Sequence, residues 1–182
     1  MDIRVVESYW LGGGVGAGLD PLKFGTELLA VIGPQAGSYW SHLTPDLLSE
    51  AAGNHCFHVL GVYPWSRLLG KGADGPPMHV LDSCRISWGT VLSRDGTTVD
   101  VWRSQLDLRD GMLALANPAV VRVDFATEGY SAVPDVAVGD QVALHWGQVC
   151  GRLDPSQARE LIDSTRRQLA HTNRRLAQEQ TP

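Results

Sequence analysis

The chain is poor in the features that would assign it quickly. Among 182 residues it has three cysteines, Cys56, Cys84 and Cys150, and no C-x-x-C pair. That excludes a disulfide framework, a zinc knuckle and a thioredoxin-like centre. No apolar run approaches the ~20 residues of a membrane helix. The start Met1-Asp2-Ile3-Arg4 lacks the basic and apolar segments of a secretion signal. A cytoplasmic protein with reduced thiols is therefore expected. The formal net charge is -5, so no general field invites nucleic acid. Absent too are a nucleophile elbow, a Walker loop, an H-E-x-x-H helix and a paired-carboxylate signature. Hydrophobic residues at 43% and charged residues at 19% suffice for an ordinary core.

Three regions follow from periodicity. Residues 1–77 read as helical and loop-rich, with Val5, Val6, Tyr9 and Trp10, then Phe24, Leu28, Leu29 and Ile32, at helical spacing. The glycines from Gly12 to Gly18 fit a G-x-G-x-x-A pattern, but without a preceding strand they read as a connector between two helices. Gly70 to Pro77 carries breaker chemistry and marks a boundary. Residues 78–153 then switch to a period of two. Short strands are expected at His79–Ser83, Cys84–Leu92, Thr97–Arg103, Val120–Phe125 and Gln141–Trp146, with turns at Asp95-Gly96, Asp110-Gly111 and Gly139-Asp140. Such strands suggest a small closed or partly open OB-like β-barrel. Residues 154–182 begin with Asp154-Pro155, an N-cap and N1 pair, and continue as an amphipathic helix through Leu161, Thr165, Leu169, Thr172 and Leu176. This helix is expected to pack on the barrel, with Arg166, Arg167, Arg174 and Arg175 solvated, or to extend from it toward a partner. The fold class expected is α+β.

Two segments of the barrel region carry the chemistry. One is Cys84-Arg85-Ile86-Ser87-Trp88-Gly89-Thr90-Val91; the other runs from Val138-Gly139-Asp140 through Val142, His145 and Gly147 to Leu153-Asp154. Together they resemble the HypC/HupF chaperones of nickel–iron hydrogenase assembly, whose motifs are Met-Cys-Leu-Ala-Ile-Pro-Gly-x-Val and Val-Gly-Asp-x-Val-x-x-His-x-Gly, followed by Leu-Asp and a helix. The resemblance covers about residues 80–176 and implies a HypC-like barrel. It implies Cys84 and His145 as ligands of an iron unit carrying cyanide and carbon monoxide. Trp88, Gly89 and Gly147 would lie against that cargo. A HypD-like scaffold or the hydrogenase large subunit would be the protein partner. This chain departs from the pattern in three ways: Cys84 is internal, Trp88 stands where the family has proline, and the longer spacing to His145 implies an insertion around residues 105–120. A second likeness rests on Val5-Val6-Glu7-Ser8-Tyr9-Trp10, Phe57-His58-Val59, Val62-Tyr63-Pro64-Trp65 and the Cys84–Gly89 run. These resemble an uncharacterised actinobacterial and archaeal family from hydrogenase gene neighbourhoods, whose members carry more sequence ahead of the Val-Val-Glu segment.

Other donors and functions stay open. His55, Cys56 and His58 form a secondary donor cluster; spaced three apart, the two histidines share a face if helical. A combined pocket is expected in which His58 and Tyr63 face Cys84 and His145, with Arg85 lowering the thiol pKa. His79 and His171 look incidental. An enzyme could instead use Cys84 as a nucleophile beside His145, with Asp82 as acid or base and Trp65, Trp88, Trp102 or Trp146 lining a pocket. In the third alternative, a non-catalytic interaction module, Cys84 and His145 would be buried apart.

Overall fold

A computed structural model describes residues 2–36 and 41–179. Among the described residues, the N-terminal half contains α1 (Ile3–Leu11), α2 (Pro21–Ala36), α3 (His55–Phe57) with a π-turn continuing it over His58–Val62, and α4 (Gly75–Cys84), with 3-10 segments between them. The barrel half contains β1 (Ser87–Asp95), β2 (Thr98–Arg103), β3 (Leu106–Arg109), β4 (Met112–Leu115), β5 (Ala119–Asp124), β6 (Gln141–His145) and β7 (Gln148–Arg152); α5 (Pro155–Glu179) ends the chain. The α+β class and the closed barrel agree with the sequence.

Five strands close the barrel in the order β1-β2-β5-β7-β6 and back to β1. The β5–β7 contact is its one parallel pairing, Asp124 opposite Gln148. Counting only barrel strands, the order is first, second, third, fifth, fourth, the arrangement of an OB-type barrel. Valines 91, 99, 101, 123, 142 and 149, with Phe125 and Leu144, form its buried core, joined by Val133 and Val136 from the loop before β6. Gly89 permits the closure: a Cβ there would lie 2.4 Å from Val101 Cγ1 and 2.7 Å from the Trp102 carbonyl. The room at Gly89 is thus taken by β2 rather than left open to a ligand. Asp110 and Gly111 take φ of 51° and 75° to turn β3 into β4. This hairpin occupies the expected insertion and pairs with no barrel strand.

One expected strand is a helix. His79–Ser83 lies inside α4, which starts at Gly75 and carries prolines in its first turn. Their fixed φ suits a helix start, and a five-residue segment in which only Val80 and Leu81 are apolar does not separate a period of two from one of 3.6. Cys84 therefore ends a helix instead of opening a strand, and β1 begins only at Ser87.

The reciprocal cap on α5 is formed by Asp154, whose carboxylate accepts from Ser156 N at 2.7 Å and Gln157 N at 2.9 Å, while Gln157 Oε1 accepts from Asp154 N. Only the start of α5 packs on the barrel, through Leu161 with Ile86, Ala143 and Leu153. Leu169 and Leu176 instead join Cys56, Leu60, Leu81, Leu106 and Leu113, a core drawn from both halves. Arg175 is not solvated: it pairs with Glu50 at 3.0 Å and donates to the Leu60 carbonyl at 2.9 Å.

At the junction of α4 and the barrel, the Asp82 carboxylate accepts from Arg85 at 3.0 Å, from Arg103, and from Leu106 N at 2.8 Å. Arg85 is 1% exposed, so losing the shared carboxylate would strand two buried cations. Asp82→Asn is expected to cost roughly 3–5 kcal/mol, read as a lowered urea midpoint at unchanged slope. A loss below about 1 kcal/mol would show that the cluster is not structural.

Candidate metal centre

Four elements converge where the helical half meets the barrel. Asn54 caps α3, accepting from Phe57 N at 2.9 Å, and so sets His55 on the first turn. Cys84 is the last residue of α4, and His145 the last of β6. Beyond His145, Trp146 and Gly147 form the two-residue turn into β7 with φ of 50° and 73°. An indole-bearing residue in the left-handed region is strained; Trp146 N donates to the Ser83 carbonyl at 2.8 Å, tying the turn to α4 beside Cys84. Trp10 of α1 packs against both imidazoles, its ring centroid 5.1 Å from that of His55 and 5.1 Å from that of His145, while the imidazoles lie 5.4 Å from each other.

The donor atoms of His55, Cys84 and His145 all lie within 4.8 Å of one another. Sγ of Cys84 is 3.9 Å from Nε2 of His55. His145 Nε2 is buried with no hydrogen-bond partner, as a metal-ligating nitrogen would be before its ion arrives. A metal holding these donors would need them about 3.5 Å apart, given bonds of about 2.0–2.3 Å. Small rotamer shifts cover that difference. A thiolate and two imidazoles form a donor set that could hold a soft-to-borderline metal ion.

Hydrogen bonding fixes the protons around this cluster. His55 Nε2 lies 2.7 Å from the Cys84 carbonyl, which only accepts, so Nε2 carries the proton. Burial pushes the His55 pKa down, against that hydrogen bond, so the ring is neutral and Nδ1 accepts. Its donor is the Tyr9 hydroxyl at 3.0 Å. Having spent its one proton there, Tyr9 accepts from His58 Nδ1 at 2.8 Å. His58, also lowered by burial and by His55, is then left with a lone pair on Nε2.

The expected site residues are distributed unevenly. Cys84 and His145 meet, and His55 joins them. His58 stacks on Tyr63 with centroids 4.5 Å apart, and Tyr9 stands between it and the cluster. The buried Cys56 thiol faces Thr165 at 4.0 Å, its pKa pushed up to about 11 by burial. Trp88 packs with Trp10, Ile86 and Leu161; Gly147 serves the turn, with open space beside it. Arg85 turns away to Asp82 and Ser104. Burial pushes the Cys84 thiol up, only partly opposed by a hydrogen bond with Trp146. Of the aromatics proposed to line a pocket, Trp146 lines a cavity of about 480 Å³ together with His145 and Asp82, Trp65 packs in the shared core, and Trp102 is about half exposed on the surface. His79 lies 6.1 Å from Trp146, and His171 bonds Arg174 on the surface. Tyr9 and Trp10 escaped sequence analysis because helical spacing marked them only as core.

A family model described as a family of unknown function (DUF6390) matches residues 1–179. The chain belongs to this family. No curated protein and no solved structure matches it. The DUF6390 match spans α1 through α5, so every residue of the centre lies within it. Among the described residues, no helix is long and apolar enough to cross a membrane.

In the folded DUF6390 chain His55, His58 and His145 all have pKa values lowered chiefly by burial. The unfolded chain, with imidazoles near ~6.5, binds more protons below that pH. The stability these groups contribute is therefore present above about pH 6.5 and is lost as pH falls toward the lowered folded values. Urea unfolding is expected to show a lower midpoint at about pH 5.5 than at about pH 8. The His55→Gln/His145→Gln protein should show a smaller difference, and an undiminished one would place the linkage elsewhere.

Proposed function

We propose that this DUF6390 chain is a HypC-like metallocentre assembly factor, carrying an iron unit with cyanide and carbonyl ligands for nickel–iron hydrogenase maturation. The observation that carries this reading is the meeting of Cys84 and His145, the two positions matched to the chaperone motifs, in one donor cluster. Cys84 loses its proton to the surrounding water as it binds, and its thiolate joins His145 Nε2. His55 would supply a third donor after exchanging its Nε2 proton with solvent for one on Nδ1, which then donates to the Tyr9 hydroxyl oxygen. That hydroxyl turns its own proton to His58 Nδ1 in place of the one His58 donated, which moves to Nε2. Three protein donors leave an iron's other positions to its own small ligands, and the half-exposed Cys84 offers a route for release. The internal Cys84 replaces a mobile chain end, so transfer would proceed by docking at the seam of barrel and helices. The partner in this reading is a HypD-like scaffold or the hydrogenase large subunit, in a cytoplasm where Cys84 stays reduced.

A resident catalytic metal is the second reading. It is favoured by a cavity of about 640 Å³ that reaches Trp10 and Tyr9 beside the donors. A nucleophilic thiol has less support, because burial raises the Cys84 pKa and Asp82 is committed to two arginines.

Anaerobic protein from a host expressing the hydrogenase-maturation machinery is expected to contain iron and show infrared bands of metal-bound cyanide and carbon monoxide. Both should fall at least ten-fold in Cys84→Ala and in His145→Ala. Bound metal without those bands favours the resident-metal reading; stoichiometric iron retained in Cys84→Ala removes Cys84 from the ligand set.

A further inference from the structure

We infer that the cavity between α1, α2 and the 52–62 segment is a binding site for a small, mostly apolar organic molecule whose head group donates a hydrogen bond to His58. Its walls are apolar, from Val6 on α1, Phe24 and Leu28 on α2, and Phe57; its volume of about 640 Å³ falls in the range of small-molecule sites. Val5, Val15 and Leu19 on its rim are about half exposed (53%, 55% and 45%), a contiguous apolar surface of the kind that marks a binding site.

The side-chain oxygens of Ser8, Asn54 and Tyr9 that line it are already engaged. Ser8 Oγ is engaged with the Gly13 carbonyl and with Gly16 N. The Asn54 side-chain carbonyl is engaged with Phe57 N. Tyr9 spends its proton on His55 and its lone pair on His58. His58 lines the cavity, and with Nδ1–H committed to Tyr9, its Nε2 is an acceptor. A ligand that ends in a hydroxyl or N–H satisfies that nitrogen, whereas one ending in an ether leaves it unpaired. The occupant is therefore an alkyl or aryl body with a single donor head, such as an alkylphenol. Occupancy needs no metal at Cys84, so the inference stands apart from the assembly reading.

Calorimetric titration of the metal-free 182-residue chain with 4-hexylphenol and with its methyl ether tests this. The phenol is expected to bind with a Kd on the order of 0.1 mM and the ether about ten-fold more weakly. His58→Phe, checked for folding by circular dichroism, should bind the two alike. Val6→Trp, which fills the cavity, should weaken the phenol at least ten-fold. Equal affinities in the unaltered chain, no heat with either compound, or phenol binding undiminished by Val6→Trp would each overturn the inference. A concentration-dependent dimer in light scattering, dissolved by Val6→Trp, would assign the cavity to a second copy of the chain and overturn it equally.

Discussion

One carboxylate between two buried guanidiniums organises the junction on which the centre depends. Asp82 holds Arg85 at the end of α4, Arg103 at the end of β2 and the backbone of Leu106 at the start of β3. Removing such charges from water costs several kcal/mol per ion, so the geometry tolerates little variation. Cys84 sits between Asp82 and Arg85 and inherits that rigidity. Its carbonyl is where His55 donates, and the neighbouring Ser83 carbonyl is where the Trp146 turn attaches.

The two halves of the chain do not have separate interiors. Leu169 and Leu176 of α5 lie in one core with Leu60 and Leu81 from the helical half and Leu106 and Leu113 from the hairpin. Leu161 lies in another with Leu11 of α1 and Ile86 and Leu153 of the barrel region. Helix α5 thus acts as a spine across the seam, and the donors come from both of its sides. His55 belongs to the helical half, His145 to the barrel, and Cys84 to the helix between them.

The centre is electrically quiet. Burial keeps the imidazoles neutral and the Cys84 thiol protonated, leaving an orphaned nitrogen and a half-exposed sulfur as its reactive atoms. Such a set is better suited to receiving an ion, which itself displaces the thiol proton, than to nucleophilic attack. Tyr9 supplies the hydrogen bond that orients His55. The same hydroxyl sets the polarity of His58 toward the neighbouring cavity.

Much of the fold was legible locally. Asp95-Gly96, Asp110-Gly111 and Gly139-Asp140 all act at turns, with positive φ at Gly96, Asp110, Gly111 and Gly139, and Asp154-Pro155 opens α5, because turns and caps depend on a few adjacent residues. Alternation located most of the barrel strands for the same reason. His79–Ser83 was misread, since so short a segment fits either period and the deciding prolines lie upstream. The barrel, its turns, the terminal helix and the candidacy of Cys84 and His145 were determined by the sequence by itself. Tertiary structure alone decided that His55 completes the cluster, that Tyr9 joins it to His58, and that Arg85 serves Asp82 instead of the thiol. These outcomes depend on how α1, α4 and β6 pack together, and contacts between residues distant in the chain leave no periodic trace along it.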